Sequence, residues 1–417
     1  MAYSAAKSAE VKIYVLIDEY DHFANDLIAM GSQLGEDVYR HMVRANGLVR
    51  DFYETLKIGT SDVLDRIFIT GISPVMLDDL TSGFNIAANL TPELQYNEMM
   101  GFTREEVHAM MAATGVNPAH INVDMDRYYN GYLFHKDGEN RLYNPSMVLY
   151  FFNRILKDGN APENIIDDNL KTDYGRLQRL VENEENRVRL LEIAKENGIV
   201  SDIVSKFSID RLEDTEYFVS LLFYMGLLTI GKFEMGSTYL RIPNYSIRTI
   251  YWEYIVRLTQ DLNKEVLIDM TNLKAAIREL AYRGNPVPYV DYVSKNVFSR
   301  LSNRDLVRFD EKYIKIMLLN GLFQSRLYVP VSEMEVEHGY IDIWLERSPL
   351  LPEIPFEWVW EVKYLKKEDE AQLAAGKAAA LAQLEKYRRS DRFRSRTDVK
   401  YAALLFTGKD RYEIVNL

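Results

Sequence analysis

Unbroken apolar runs alternate with amphipathic stretches along this chain. Residues 11–17 (VKIYVLI) are apolar without a break after Lys12 and end at Asp18-Glu19. Continuity without alternation predicts a strand buried on both faces of a parallel sheet. A helix is predicted over Val38–Lys57, with Val49, Phe52 and Leu56 on one face, followed by a second buried strand at Arg66–Thr70. This strand–helix–strand rhythm is the mark of an α/β fold. Leu90–Thr91 and Met100–Met111 continue it, and Thr103 with Glu106 has the spacing of a capping box. Tyr128–Tyr132 reads as a hairpin, because Asn130-Gly131 suits the two positive φ angles of a type I′ turn. Tyr143-Asn144-Pro145-Ser146 then opens a helix through Asn153.

From residue 160 to 225 the pattern is helical and closes on Gly226. Leu227–Ile230 and Tyr239–Ile242 read as short strands around a turn at Gly231–Thr238, and helices followed by such a hairpin suggest a winged-helix unit. Residues 246–300 are helical again. At 417 residues the chain exceeds one ordinary core. Three parts are expected, with boundaries at 1–155, 156–265 and 266–417.

The last part carries the chemistry. Gly339–Leu345 alternates as a strand, with Tyr340, Asp342 and Trp344 on one face and Ile341, Ile343 and Leu345 on the other. After a Pro-bearing loop (Ser348–Pro355), Trp358–Leu365 forms another strand. There Val359, Glu361, Lys363 and Leu365 point one way and Trp358, Trp360, Val362 and Tyr364 the other. Glu361 and Lys363 are two residues apart, so they share a face whatever the register. Two carboxylates and an ammonium among apolar neighbours need compensation, since burying them unpaired is costly. A divalent cation bridging Asp342 and Glu361 would supply it, and Mg²⁺ (or Mn²⁺) suits such oxygen-only, half-hydrated sites. The ion would polarise a phosphate and activate water, with Lys363 positioning that water or stabilising transition-state charge.

Charge and composition narrow the partners. The formal net charge is -12, but residues 300–417 hold 20 Lys+Arg against 19 Asp+Glu, leaving 30 against 43 for the first 299 residues. The acidity therefore belongs to the front of the chain and does not oppose nucleic-acid binding at its end. A basic run, Lys386–Lys400, reads equally well as a solvated face or a phosphate contact. With no cysteine, disulfides and thiolate metal sites are excluded, in keeping with a reducing cytoplasm. No apolar stretch is long enough for a membrane span and no signal peptide is legible, so a cytoplasmic protein is expected. The six histidines (His22, His41, His108, His120, His135, His338) show no ligand spacing.

Asp342 followed by Glu361-Val362-Lys363 resembles the D…(D/E)-x-K signature of the PD-(D/E)XK nuclease superfamily, with Ile341 where that signature begins with Pro. The resemblance implies an αβββαβ restriction-endonuclease-like fold, completed by the strand Lys400–Phe406. It makes Glu311, in Asp310-Glu311-Lys312-Tyr313, a further metal ligand beside Asp342 and Glu361. Gln383 and Tyr387, four apart on the helix Asp369–Arg389, match the Q-x-x-x-Y element of several such nucleases.

Tyr14-Val15-Leu16-Ile17-Asp18-Glu19 resembles a Walker B strand, and the strand ending at Thr70 resembles a sensor strand. Together with Asp18-Glu19-Tyr20-Asp21, Thr70-Gly71-Ile72-Ser73, Tyr129-Asn130-Gly131-Tyr132 and Tyr143-Asn144-Pro145, the region is similar to the bacterial AAA-ATPase-like family. That likeness implies that Asp18, Glu19 and Thr70 serve a nucleotide cofactor. The family places a P-loop upstream of the hhhhDE strand, and no G-x-x-x-x-G-K-[ST] stands anywhere in this sequence. The expectation is a shortened or degenerate ATPase module, with ATP bound only if a P-loop is supplied, and no ATPase activity. The missing strands would leave an edge at 11–17, which a second copy of the chain could cover.

Taken together, the sequence predicts an α/β chain with a partial P-loop ATPase-like sheet, a helical winged-helix middle and a restriction-endonuclease-like end. The expected function is Mg²⁺-dependent hydrolysis of nucleic acid, with DNA as the partner. The competing reading is a nucleotide-sensing or nucleic-acid-binding module with a non-catalytic nuclease-like domain.

Overall fold

The two apolar runs near the N-terminus do pair in parallel. In the computed structural model, β1 (Ile13–Ile17) lies beside β2 (Leu64–Ile69), with Val15 opposite Ile67 and Ile17 opposite Ile69. The structure describes all residues except 1, 31–32, 44–46, 76–78, 80–83, 117–122, 160, 163, 168–179, 182, 207–210, 213, 263–268, 301–309, 338 and 410. The chain divides into two units, Met1–Arg248 and Thr249–Leu417.

In the first unit, α1 (Ala2–Ser8) precedes β1, and α2 (His22–Met30), α3 (Gln33–Val43) and α4 (Leu48–Gly59) separate the two strands. Ala24, Leu27, Tyr39, Val43 and Tyr53 form a buried cluster against which Ile17, Ile67 and Ile69 pack. One face of the pair is thus covered, while Tyr14, Leu16 and Phe68 are exposed on the other. The expectation of a strand buried on both faces is corrected here: among the described residues β1 has β2 as its only strand neighbour. The single helix expected over Val38–Lys57 is two helices, the second opening at an N-cap glycine, Gly47, in extended conformation. Val49 and Leu56 join the core, whereas Phe52 is half exposed.

The capping box is present: Thr103 Oγ1 accepts from the Glu106 amide and Glu106 accepts from the Thr103 amide, opening α5 (Arg104–Thr114). The hairpin at Asn130-Gly131 is not. Tyr128 and Tyr129 end a short helix, α6 (Met125–Tyr129), and Asn130 has φ −82, which excludes a type I′ turn. Tyr132 instead pairs with Leu142 across a longer loop. Gly131 is required for another reason: at φ +121, a Cβ would collide with the carbonyl oxygen of Pro243. Asn144 caps α7 (Pro145–Asp158), with Pro145 in its first turn.

Further on come α8 (Glu184–Glu196), β3 (Gly198–Val200), α9 (Thr215–Tyr224), β4 (Thr229–Glu234) and β5 (Ser237–Arg241). The strands form an antiparallel sheet in the order β3-β5-β4. Its hairpin turns at Met235-Gly236, both with positive φ, a tighter turn than the eight residues expected.

The second unit follows α10 (Tyr245–Leu262) with α11 (Met270–Arg283) and α12 (Val287–Asn296). It then runs α13 (Glu311–Phe323), β6 (Tyr328–Val336), β7 (Gly339–Arg347), β8 (Glu357–Leu365), α14 (Leu373–Arg389), β9 (Val399–Thr407) and β10 (Arg411–Asn416). The sheet order is β10-β9-β8-β7-β6, antiparallel except for β8 and β9, which lie parallel with α14 as their crossover. The anticipated αβββαβ order is met, and β10 extends it.

The two faces of β8 divide as alternation requires. Val359 packs under α14 with Ala380, Leu384, Tyr401 and Ala403. Trp358 and Trp360 face the other way, Trp360 stacking on Tyr289 at 6.0 Å and Trp358 donating its indole N–H to the Leu280 carbonyl. On β7 strict alternation fails. Ile341 joins the same core as Trp344, although the two were expected on opposite faces. The register with β6 is the same on either side of this point, Ser332/Ile343 and Met334/Ile341, but Glu333 and Asp342 between them do not pair, and Glu333 has φ +51. No helix among the described residues is long and apolar enough to cross a membrane.

Candidate active site

Beyond the Ile343/Trp360 pair, β7 and β8 are no longer matched residue to residue. Asp342 takes over at that point, its Oδ2 accepting the Val362 amide at 2.7 Å. Satisfying a buried ladder amide with a carboxylate orders Asp342 and holds its charge beside Glu361. Both acids are buried, Asp342 at 6 % exposure and Glu361 at 5 %.

Glu361 and Lys363 meet as their spacing requires, Lys363 Nζ lying 3.0 Å from Glu361 Oε1. The other oxygen, Glu361 Oε2, is buried without a hydrogen-bond partner. Burial, and then the charge of Asp342, push the Glu361 carboxyl up to about 7. The Lys363 ammonium opposes that rise without cancelling it. For Lys363, burial lowers proton affinity but the nearby carboxylates outweigh it and hold the ammonium above its ordinary value.

Glu311, one residue after the Asp310 N-cap of α13, reaches this centre through lysines: its Oε1 is 3.7 Å from Lys363 Nζ and 3.7 Å from Lys315 Nζ. Gln383 and Tyr387 come together on α14. Gln383 Nε2 donates to the Tyr387 hydroxyl, which donates its own proton to the Tyr340 carbonyl, two residues before Asp342. Gly339, at φ +131, leaves room for the Gln383 amide. This chain of hydrogen bonds anchors β7 to α14 beside the acids.

Sequence reasoning missed two residues. Lys315 Nζ lies 2.5 Å from Asp342 Oδ1 and 2.9 Å from Glu333 Oε1, so it neutralises Asp342 directly. The signal was present: Lys315 is the one charged side chain between residues 313 and 323, and it stands four after Glu311. Glu333 carried no comparable cue, because its approach depends on how β6 pairs with β7. His338, near Asp342 in sequence, lies outside the described residues.

A divalent cation fits the Asp342–Glu361 pair. The donors are oxygens only, like charges are forced together, and one buried carboxylate oxygen is unpartnered. Among the described residues, however, no three His, Asp or Glu side chains are gathered closely enough to hold an ion, since ammonium groups stand between Glu311 and the pair.

The basic run divides. Arg396 is tied to Glu357 and Asp398, Lys400 lies over the Phe356 ring at 4.3 Å, and Arg392 over the Trp344 ring at 4.5 Å. Lys386, Arg388 and Arg389 remain exposed at the end of α14.

At the other end of the chain, the two quoted motifs interlock. Thr70 Oγ1 donates to Asp18 Oδ1, as expected for residues meeting at the ends of paired parallel strands. Buried Asp21 accepts from the amides of Ile72 and Ser73 and from the Ser73 hydroxyl, and a Cβ on Gly71 would run into the Tyr20 ring. Asp21 and Gly71 thus hold the strand ends together, while Glu19 is exposed at φ +52.

Sheet order, splayed strands and the buried D…E-x-K constellation define a restriction-endonuclease-like domain. In agreement, residues 309–415 match the model of the PD-(D/E)XK nuclease superfamily, and residues 1–81 match the family described as Predicted AAA-ATPase. No curated protein matches the chain.

Proposed function

We propose that the second unit hydrolyses phosphodiester bonds in nucleic acid with the help of a divalent cation. The observation that carries this reading is the buried, partly unpartnered Glu361 held beside Asp342, with Lys363 on the same face. Asp342 and Glu361 would hold Mg²⁺ or Mn²⁺, with Glu311 close by to complete the set. When bound, the ion would supply Lewis-acid polarisation of a phosphate and a more acidic water. Lys363, its ammonium kept charged by the surrounding carboxylates, stabilises negative charge on the phosphate. Gln383 and Tyr387 keep Asp342 in place through the Tyr340 carbonyl. Lys386, Arg388 and Arg389 offer exposed positive charge for the backbone of DNA. In the first unit, Asp18, Glu19 and Thr70 would contact a nucleotide should a P-loop be supplied; the hydrogen bond between Thr70 and Asp18 supports that reading.

The test is cleavage of single- and double-stranded DNA with Mg²⁺ or Mn²⁺. Lys363→Ala is expected to lower the rate by on the order of 10²-fold, the usual cost of one electrostatic stabiliser. Identical traces for wild type and Lys363→Ala would remove the catalytic role. A second reading, binding without cleavage, draws support from Lys315, whose ammonium already neutralises Asp342. It predicts retention of DNA on a gel with no product at any metal concentration.

A further inference from the structure

Lys315 is an unusual occupant of its position. The helix around it, Ile314 to Phe323, is apolar apart from Asn320, and an ammonium buried there must be paired to be tolerated. It is paired with carboxylates from three separate elements: Asp342 on β7 at 2.5 Å, Glu333 on β6 at 2.9 Å and Glu311 on its own helix at 3.7 Å. Asp342 and Lys315 are both deeply placed, whereas the Glu333 side chain is about half exposed. The same Asp342 oxygen that faces Lys315 belongs to the pair assigned above to a divalent cation, so ammonium and ion compete for one carboxylate.

We propose that Lys315 is a built-in counter-cation that keeps the Asp342–Glu361 pair neutralised in the ion-free protein and is displaced from Asp342 when a divalent cation enters, remaining paired with Glu333. Lys315 is therefore a positioning residue, and this inference rests on the metal-dependent reading of the site. Two features of the chain make the exchange feasible. The lysine stem is flexible, and Glu333, at φ +51 on β6, already offers Lys315 a half-exposed carboxylate at 2.9 Å. An ammonium drawn toward Glu333 never loses its partner, so the exchange avoids a bare buried charge.

Competition has a measurable sign. Replacing Lys315 with a neutral side chain of similar length removes the competitor, so the ion binds more tightly. Removing the Glu333 charge has the opposite effect, because the displaced ammonium then keeps only Glu311, the most distant of its three carboxylates at 3.7 Å.

The experiment is calorimetric titration of Mn²⁺ into the full-length, metal-free protein at constant pH without nucleic acid. The proteins are wild type, Lys315→Met, Glu333→Gln and Asp342→Asn. Lys315→Met is expected to bind Mn²⁺ about tenfold more tightly than wild type, equivalent to ~1.4 kcal/mol. Glu333→Gln is expected to bind severalfold more weakly, and Asp342→Asn to lose the site. Equal affinity in wild type and Lys315→Met overturns the proposal. Should Lys315→Met fail to fold, unchanged affinity in Glu333→Gln overturns it. Wild-type binding that Asp342→Asn abolishes but Lys315→Met does not strengthen sinks the exchange alone and leaves the nuclease reading standing. Absence of Mn²⁺ binding in every protein removes both.

Discussion

The amide of Val362 donates to Asp342 Oδ2 just past the point where β7 and β8 stop pairing. A side chain thus does the work of a strand neighbour, and two otherwise antiparallel strands are held apart with acids between them. The same carboxylate serves as a structural acceptor, as the partner of Lys315 and as one half of the candidate cation site. Structure and chemistry cannot be separated at this residue, and its substitution has consequences for both.

Asp342→Ala leaves the Val362 amide buried without an acceptor and deprives Lys315 of its closest carboxylate. A loss of about 2–4 kcal/mol is expected, the range for an orphaned amide combined with a broken buried pair. Urea denaturation with EDTA present measures it. A wild-type midpoint for the variant would show that the contact contributes nothing.

Tyr387→Phe removes the hydroxyl that joins Gln383 to the Tyr340 carbonyl. The expected cost is about 1 kcal/mol in stability, with a larger proportional loss of DNA cleavage because β7 is less firmly held beside the acids. Thermal melting and a cleavage assay on the same preparation separate the two effects. Reduced stability with unaltered cleavage would confine Tyr387 to the core.

Glu361 makes the ion-free protein sensitive to alkali. Its carboxyl is raised from 4.5 to about 7 in the folded state, so between those values the folded protein holds a proton that the unfolded chain has released. The favourable contribution of the protonated form is full below the ordinary carboxylate value and is lost as pH rises through 7. Melting in EDTA from pH 5 to 8.5 should show wild type losing on the order of 2 kcal/mol relative to Glu361→Gln, whose side chain does not titrate. Parallel curves for the two proteins would contradict the burial of this acid.

Gly131→Ala tests the first unit. A methyl group there meets the Pro243 carbonyl oxygen, and φ +121 is a conformation that L-residues rarely adopt. A destabilisation of about 2–4 kcal/mol is expected, read as loss of soluble protein or an early urea transition. Normal yield and midpoint would mean that the Tyr132–Leu142 loop moves without cost.

Short-range physics made much of this protein legible in advance. The i, i+2 period puts Glu361 and Lys363 on one face, capping chemistry places Thr103 with Glu106 and Asn144 at the start of its helix, and apolar runs locate β1, β2 and β8. Each depends on neighbours within a few residues, where backbone geometry leaves few alternatives. Asn130-Gly131 shows the limit of that reasoning. Its turn signal is sound locally, yet a helix ending at Tyr129 and a carbonyl from Pro243 decide its conformation. Strict alternation on β7 fails for a similar reason, because Asp342 and Glu333 drop out of the ladder between β7 and β6. Tertiary structure alone brought Lys315 and Glu333 to that acid, 27 residues from Lys315 along the chain. Partner choice in a buried ion cluster follows from which elements converge. The sequence by itself determined that an acidic pair and a lysine would share a buried strand end; the fold decided that a second lysine already stands among them.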